Sequence, residues 1–91
     1  MITVKKIDDC TFEVTVAGRT TTTHRVTVDS SYHEKLTGGH TSAEELVEKS
    51  FDFLLKREGN TSILRAFELQ VIGRYFPEYE TTIRKMLKIP A

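Results

Sequence analysis

Apolar residues fall at every second position in three early stretches of the chain. Ile2 and Val4 alternate with Thr3 and Lys5. Phe12, Val14 and Val16 alternate with Thr11, Glu13 and Thr15, and His24, Val26 and Val28 alternate with Thr23, Arg25 and Thr27. A period of two puts one set of side chains on one face of a strand. The pattern therefore predicts strands over Ile2 to Ile7, up to Val16, and from Thr20 to Asp29. Cys10 shares the parity of Phe12 and is expected to point inward. Asp8-Asp9 and Ala17-Gly18-Arg19 supply turns, with Gly18 free to take a positive φ. Strands joined by such short turns form an antiparallel meander over residues 1–29, because parallel pairing needs a long crossover. The opposite parity is rich in threonine, with Lys5, Glu13 and Arg25 among the threonines, and reads as a solvated face of good β-formers.

The period changes to that of a helix after Thr41. Thr41 is followed three residues on by Glu44, and Ser42 by Glu45, two overlapping capping boxes between which the sequence does not choose. Ala43, Leu46, Val47, Ser50, Phe51 and Leu54 recur at helical spacing. Phe53 and Leu55 widen the apolar arc to about 200° at roughly 100° per residue. A surface helix needs only a narrower stripe. The helix over residues 41–58 is thus expected to be central, covered by the sheet on one side and by later helices on the other. Lys56 and Arg57 suit its C-terminal dipole and Gly59 ends it. The preceding link, Ser30 to His40, is anchored by Tyr32 and Leu36. Ser30-Ser31 suits the start of a short helical turn, which Gly38-Gly39 breaks.

Residues 61–89 read as two shorter helices. Ile63, Leu64 and Phe67 fit helical spacing, while Phe67 to Val71 alternates like a strand. Helix is favoured, and a short fourth strand at Phe67 to Ile72 is the alternative. Pro77 forces Phe76 out of helical geometry and opens the last helix. Glu78 and Glu80 at its start and Arg84, Lys85 and Lys88 at its end match the helix dipole. Tyr79, Ile83, Met86 and Leu87 form its buried stripe and Pro90 terminates it. The fold class is α+β: a three-stranded antiparallel meander, a long central helix and two shorter helices in a single domain.

Composition narrows the function. At 91 residues, 38% hydrophobic and 29% charged, the chain suits one folded domain with a modest core. Thirteen basic and thirteen acidic residues give no formal net charge. Nucleic-acid binders draw most of their affinity from a basic excess, so the balance argues against that class. It also weakens repulsion between copies. One cysteine, no targeting run and no apolar stretch of membrane length point to a cytoplasmic protein.

The candidate chemistry is sparse. His24, His33, His40 and Cys10 are the soft metal ligands, but none forms a closely spaced pair, so no metal or other cofactor is expected. Gly38, Gly39, His40 and Thr41 precede a helix N-terminus, where backbone N–H groups can gather an anion. Against this, the stretch lacks the lysine of a phosphate-binding loop, and Glu44 and Glu45 repel an anion. No nucleophile motif is present, and a chain this short leaves little room for a deep pocket. An enzyme is not expected; the reading that keeps one uses the His24, His33 and His40 region. Arg84, Lys85 and Lys88 with Arg74 could form a basic strip for nucleic acid, with Tyr75 and Tyr79 nearby, but dipole-matched charge on a solvated helix face is the favoured reading. Aromatic residues crowd the helical half, and apolar area left over on a small neutral protein becomes an interface. Phe53, Tyr75 and Phe76 are the interface candidates. The expected partner is another protein or a second copy, through the helices or through a sheet edge.

Two resemblances add to this. The SFxFLLxRE run at residues 50–58, the ILRxF segment at 63–67 and the YFPEYE end at 75–80 resemble a family of short, uncharacterised bacterial proteins. That resemblance covers about half the chain. It implies a small soluble bacterial protein and carries no activity or site residue. Gly39-His40-Thr41-Ser42-Ala43-Glu44-Glu45 is also similar to the turn and acidic helix that follow the strands in HicB-type antitoxins. This implies an antitoxin-like regulator binding nucleic acid or a toxin partner, although no DNA-binding segment follows here.

Overall fold

A computed structural model describes residues 1–89. The three alternating stretches are strands: β1 (Ile2–Lys6), β2 (Thr11–Val16) and β3 (Thr22–Thr27). They pair antiparallel, with Val4 opposite Val14 and Val14 opposite His24. The first turn is tied by the Asp8 carboxylate, whose Oδ1 accepts from the N–H groups of Cys10 (2.9 Å) and Thr11 (2.8 Å). Those bonds hold the Asp8 carboxyl below the usual carboxylate range. They also draw Cys10 into the turn. Cys10 is therefore exposed, not inward, and Ile7 lies beyond the strand. Parity persists only where the ladder does.

The link after β3 is more ordered than its polar sequence suggests. It forms a two-turn helix, α1 (Ser30–Thr37), closed by Gly38 in the left-handed conformation at φ 62°. Among the glycines, positive φ falls at Gly38 and Gly39 and not at Gly18. The central helix α2 (Ala43–Leu55) is capped by Ser42, whose Oγ accepts from Glu45 N–H at 3.1 Å. The wide apolar arc is covered on both sides as expected. Leu46, Val47 and Phe51 are fully buried, and α2 packs against β1 and β2 on one side and against the last helix on the other.

After α2 the chain departs from the three-strand expectation. A 3₁₀ turn at Asn60–Ser62 leads into a fourth strand, β4 (Ala66–Glu68), which pairs parallel with β3. The α1–α2 connection is the long crossover that parallel pairing requires. The sheet is thus four-stranded and mixed, in the order β1-β2-β3-β4. Its last strand stops at Glu68 because its partner Thr27 is the last residue of β3. Without a ladder to join, Leu69–Val71 winds into a 3₁₀ turn and continues as the single turn α3 (Ile72–Tyr75). Neither a helix from Ile63 nor a strand up to Ile72 forms.

Phe76 is extended, at φ −130° and ψ 92°, as the following proline requires. The last helix, α4 (Tyr79–Met86), buries Tyr79 and Ile83, with Met86 and Leu87 packed against the core. Pro90, expected to terminate it, lies outside the described residues. The open face of the sheet carries Lys5 opposite Glu13 and Glu13 opposite Arg25. Opposite charges side by side on a solvated face suit water rather than a partner. Among the described residues, no helix is long and apolar enough to cross a membrane.

Candidate functional site: an apolar groove beside the edge strand

The end of α2 supplies Leu54 from its last turn, and Glu58 follows three residues past the helix. The link that follows adds Ser62, Ile63 and Leu64; β4 adds Phe67; the 3₁₀ turn and α3 add Val71, Ile72, Tyr75 and Phe76. Together they line a half-open groove of about 360 Å³. Leu54, Ile63 and Ile72 are buried and form its floor, while Phe67, Val71 and Phe76 are half-buried walls. Leu64 and Tyr75 stand at the rim with 49% and 67% of their surface in water. Glu58 is the one charged residue in the lining.

The rim is held from behind by His24. This ring is buried on β3 against Phe51, with ring centroids 5.4 Å apart. Nδ1 is 2.7 Å from Leu64 O, and a carbonyl only accepts, so Nδ1 donates. Nε2 is 2.8 Å from Thr22 Oγ1. Thr22 in turn accepts from the Asn60 amide at 3.1 Å, which leaves its hydroxyl proton for Nε2. Both ring nitrogens are therefore spent on structure. His24 fixes the backbone of Leu64 rather than lining a cleft.

The other histidines do not join it. His33 Nε2 lies 2.5 Å from Thr41 O and ties α1 to the start of α2, and His40 is exposed. Among the described residues no group of three or more His, Cys, Asp or Glu side chains is placed to hold a metal. The glycine turn is likewise occupied from within. Gly38 N–H donates to Glu34 O, Gly39 N–H to Thr37 Oγ1 and His40 N–H to Thr37 O, at 2.7, 3.2 and 3.1 Å. Each of these donors has its own acceptor, and Thr41 is buried. The turn serves as the C-cap of α1.

The three aromatic interface candidates divide. Phe53 is core, not surface. Its ring sits 5.3 Å from Tyr79 and 5.7 Å from Phe76, and the Arg57 guanidinium covers it at 3.6 Å. Arg57 also donates to Phe53 O (3.1 Å) and to Glu78 Oε2 (3.3 Å), sealing the edge of the apolar arc that sequence left open. Tyr75 and Phe76 both line the groove. Reasoning from sequence missed Glu58, Ile63, Leu64 and Val71 as its neighbours. The available signal was the alternation of Phe67 to Val71, which marks where the chain leaves the helical pattern.

The chain matches no protein-family model, no curated protein and no solved structure at a significant level. The two resemblances drawn from its sequence rest on the motifs that carry them.

Proposed function

We propose that this chain is a small non-catalytic binding module of regulatory type, which takes apolar side chains of a protein partner into the groove at the end of α2. The observation that carries this reading is the groove itself. Its floor and walls are apolar, two large apolar residues stand at its rim, and a single carboxylate lies in its wall. That is the make-up of a recognition site: mostly apolar lining with a few polar groups to orient the ligand. A volume of about 360 Å³ is at the small end for ligand sites and suits one or two side chains. The acidic wall favours an aromatic or aliphatic group next to a positive charge.

The same features weigh against catalysis. The groove offers one carboxylate, Glu58, and two hydroxyls, Ser62 and the exposed Tyr75 phenol, with no histidine or lysine to act as a base beside them, and the rings of His24 and His33 are bound to backbone carbonyls. A cytoplasmic, bacterial setting accompanies the proposal. The lone cysteine is exposed and unpaired, which suits a reducing compartment.

Side-chain mimics test the reading at low protein concentration. Phenethylamine is expected to shift the methyl resonances of Ile63, Leu64, Val71 and Ile72, and phenylacetate to shift them less. Shifts scattered over the surface, or confined to the loop around His33 and His40, would exclude the groove as the working site.

A further inference from the structure

We infer that the partner of the groove is a second copy of this chain, docked about a two-fold axis so that Tyr75 and Leu64 of each copy enter the groove of the other. The inference rests on the binding reading above and names its partner. A two-fold interface uses one patch twice, so the patch must carry both a projection and the recess that receives it. This face does. Tyr75 and Leu64 project at the rim of a recess floored by Ile63 and Ile72.

Charge is distributed in the same self-complementary way. Glu58 lies in the wall of the recess, while Arg65 follows Leu64 in the chain and Arg74 precedes Tyr75, both of them exposed. Among the described residues, the ion pairs and side-chain hydrogen bonds involve none of these three side chains. Seating Leu64 and Tyr75 in a second groove carries their arginine neighbours toward the Glu58 of that copy, and the two-fold axis repeats the arrangement. A net charge of zero adds no general repulsion. Of the two sheet edges, β4 offers only three residues, and the longer free edge is that of β1. It carries exposed Lys5 and Lys6, the kind of side chain that keeps an edge strand unpaired.

Sedimentation equilibrium of the full chain from micromolar concentration up to about 1 mM decides the matter. A concentration-dependent dimer is expected. Tyr75→Asp is expected to abolish it while leaving the far-ultraviolet circular dichroism unchanged, because that side chain is mostly in water. Glu58→Arg alone is expected to weaken the dimer at least ~10-fold, and combination with Arg65→Glu or Arg74→Glu to restore it, as paired charges across a contact do. A chain that stays monomeric at the highest concentration overturns the inference, as does a dimer indifferent to both Tyr75→Asp and Glu58→Arg. A monomer whose groove still responds to phenethylamine removes self-docking and leaves the binding reading standing. A monomer without that response removes both.

Discussion

The Tyr79 hydroxyl lies 2.6 Å from Ser50 Oγ inside the helical layer, and Ser50 itself donates to Leu46 O at 2.7 Å. Serine has one proton to give, and Leu46 takes it. The phenol must therefore be the donor to Ser50. The two residues are not interchangeable in this bond. Tyr79→Phe removes a donor and leaves Ser50 still bonded to Leu46, at an expected cost of about 1 kcal/mol. Ser50→Ala strands a buried phenol and is expected to cost more, about 1–3 kcal/mol. The double variant is expected to be more stable than Ser50→Ala alone, since it removes the orphaned group. Urea unfolding of the three variants measures this, and a Tyr79→Phe cost above that of Ser50→Ala would reverse the assigned donor.

That pair also shows how far the sequence could be read. Ser50 falls on the apolar arc of α2 and Tyr79 on the stripe of α4, so both are placed inward by period alone. What period cannot show is that they meet, because the contact depends on the crossing of two helices. The same limit applies to the groove. It is assembled from the end of α2, a link, three residues of strand and a single helical turn, each too short to hold a period. Tyr75 and Phe76 were visible as aromatics in excess, whereas Leu64 matters only because His24, distant in sequence, holds its carbonyl. The strands β1 to β3 were legible because alternation and short turns agree. Strand β4 was legible only as the alternative to a helix, with its bounds at Phe67 to Ile72 instead of Ala66–Glu68, because its pairing comes from the α1–α2 crossover rather than from its own three residues.

Stability should fall away at both ends of the pH range. In acid, the Asp8 carboxyl is held below its ordinary value by the N–H groups of Cys10 and Thr11. A depressed carboxyl contributes stability that is present above its unfolded pKa, about 3.9, and lost as pH falls through the folded value. In alkali the sign is opposite. Burial pushes the Tyr79 phenol above its ordinary range, and burial together with the hydrogen bond to Glu80 does the same for Tyr32. Their contribution is complete below about pH 10 and declines as pH rises further, with a slope of roughly 1.4 kcal/mol per pH unit for the buried Tyr79. Thermal melts across the range are expected to show a plateau between these limits. Asp8→Asn should flatten the acid side and Tyr79→Phe the alkaline side.

Two glycines are expected to respond to alanine with opposite sign. Gly38 closes α1 at φ 62°, and an added Cβ would meet the His40 ring at 3.3 Å. Gly38→Ala is expected to lower stability by about 1–2 kcal/mol, the cost of a left-handed residue with a side chain. Gly73 sits inside α3 with open space where a Cβ would be. Gly73→Ala is expected to raise stability by about 0.4–1 kcal/mol by restricting the unfolded chain. Chemical denaturation of both variants checks the pair, and a destabilised Gly73→Ala would mean that α3 needs its glycine for a reason other than space.

Asn60 joins the hairpin to the chain's return toward β4. Its amide Nδ2 lies 2.7 Å from Thr20 O, 3.1 Å from Thr22 Oγ1 and 3.4 Å from Val16 O. All three partners can accept, so the position demands a donor. Asn60→Ala is expected to cost about 1 kcal/mol, the net worth of an ordinary hydrogen bond. Asn60→Asp keeps the shape but turns a negative oxygen toward two carbonyls, and is expected to cost more than alanine does. The damage should reach the groove, because Thr22 can give its hydroxyl proton to His24, and His24 holds Leu64 in place. Hydrogen exchange at the amides of residues 60–68 is therefore expected to quicken in Asn60→Asp, with the β1–β2 ladder left protected. Equal loss across the whole sheet would show instead that Asn60 supports the hairpin alone, and that the rim of the groove is set by packing rather than by this chain of hydrogen bonds.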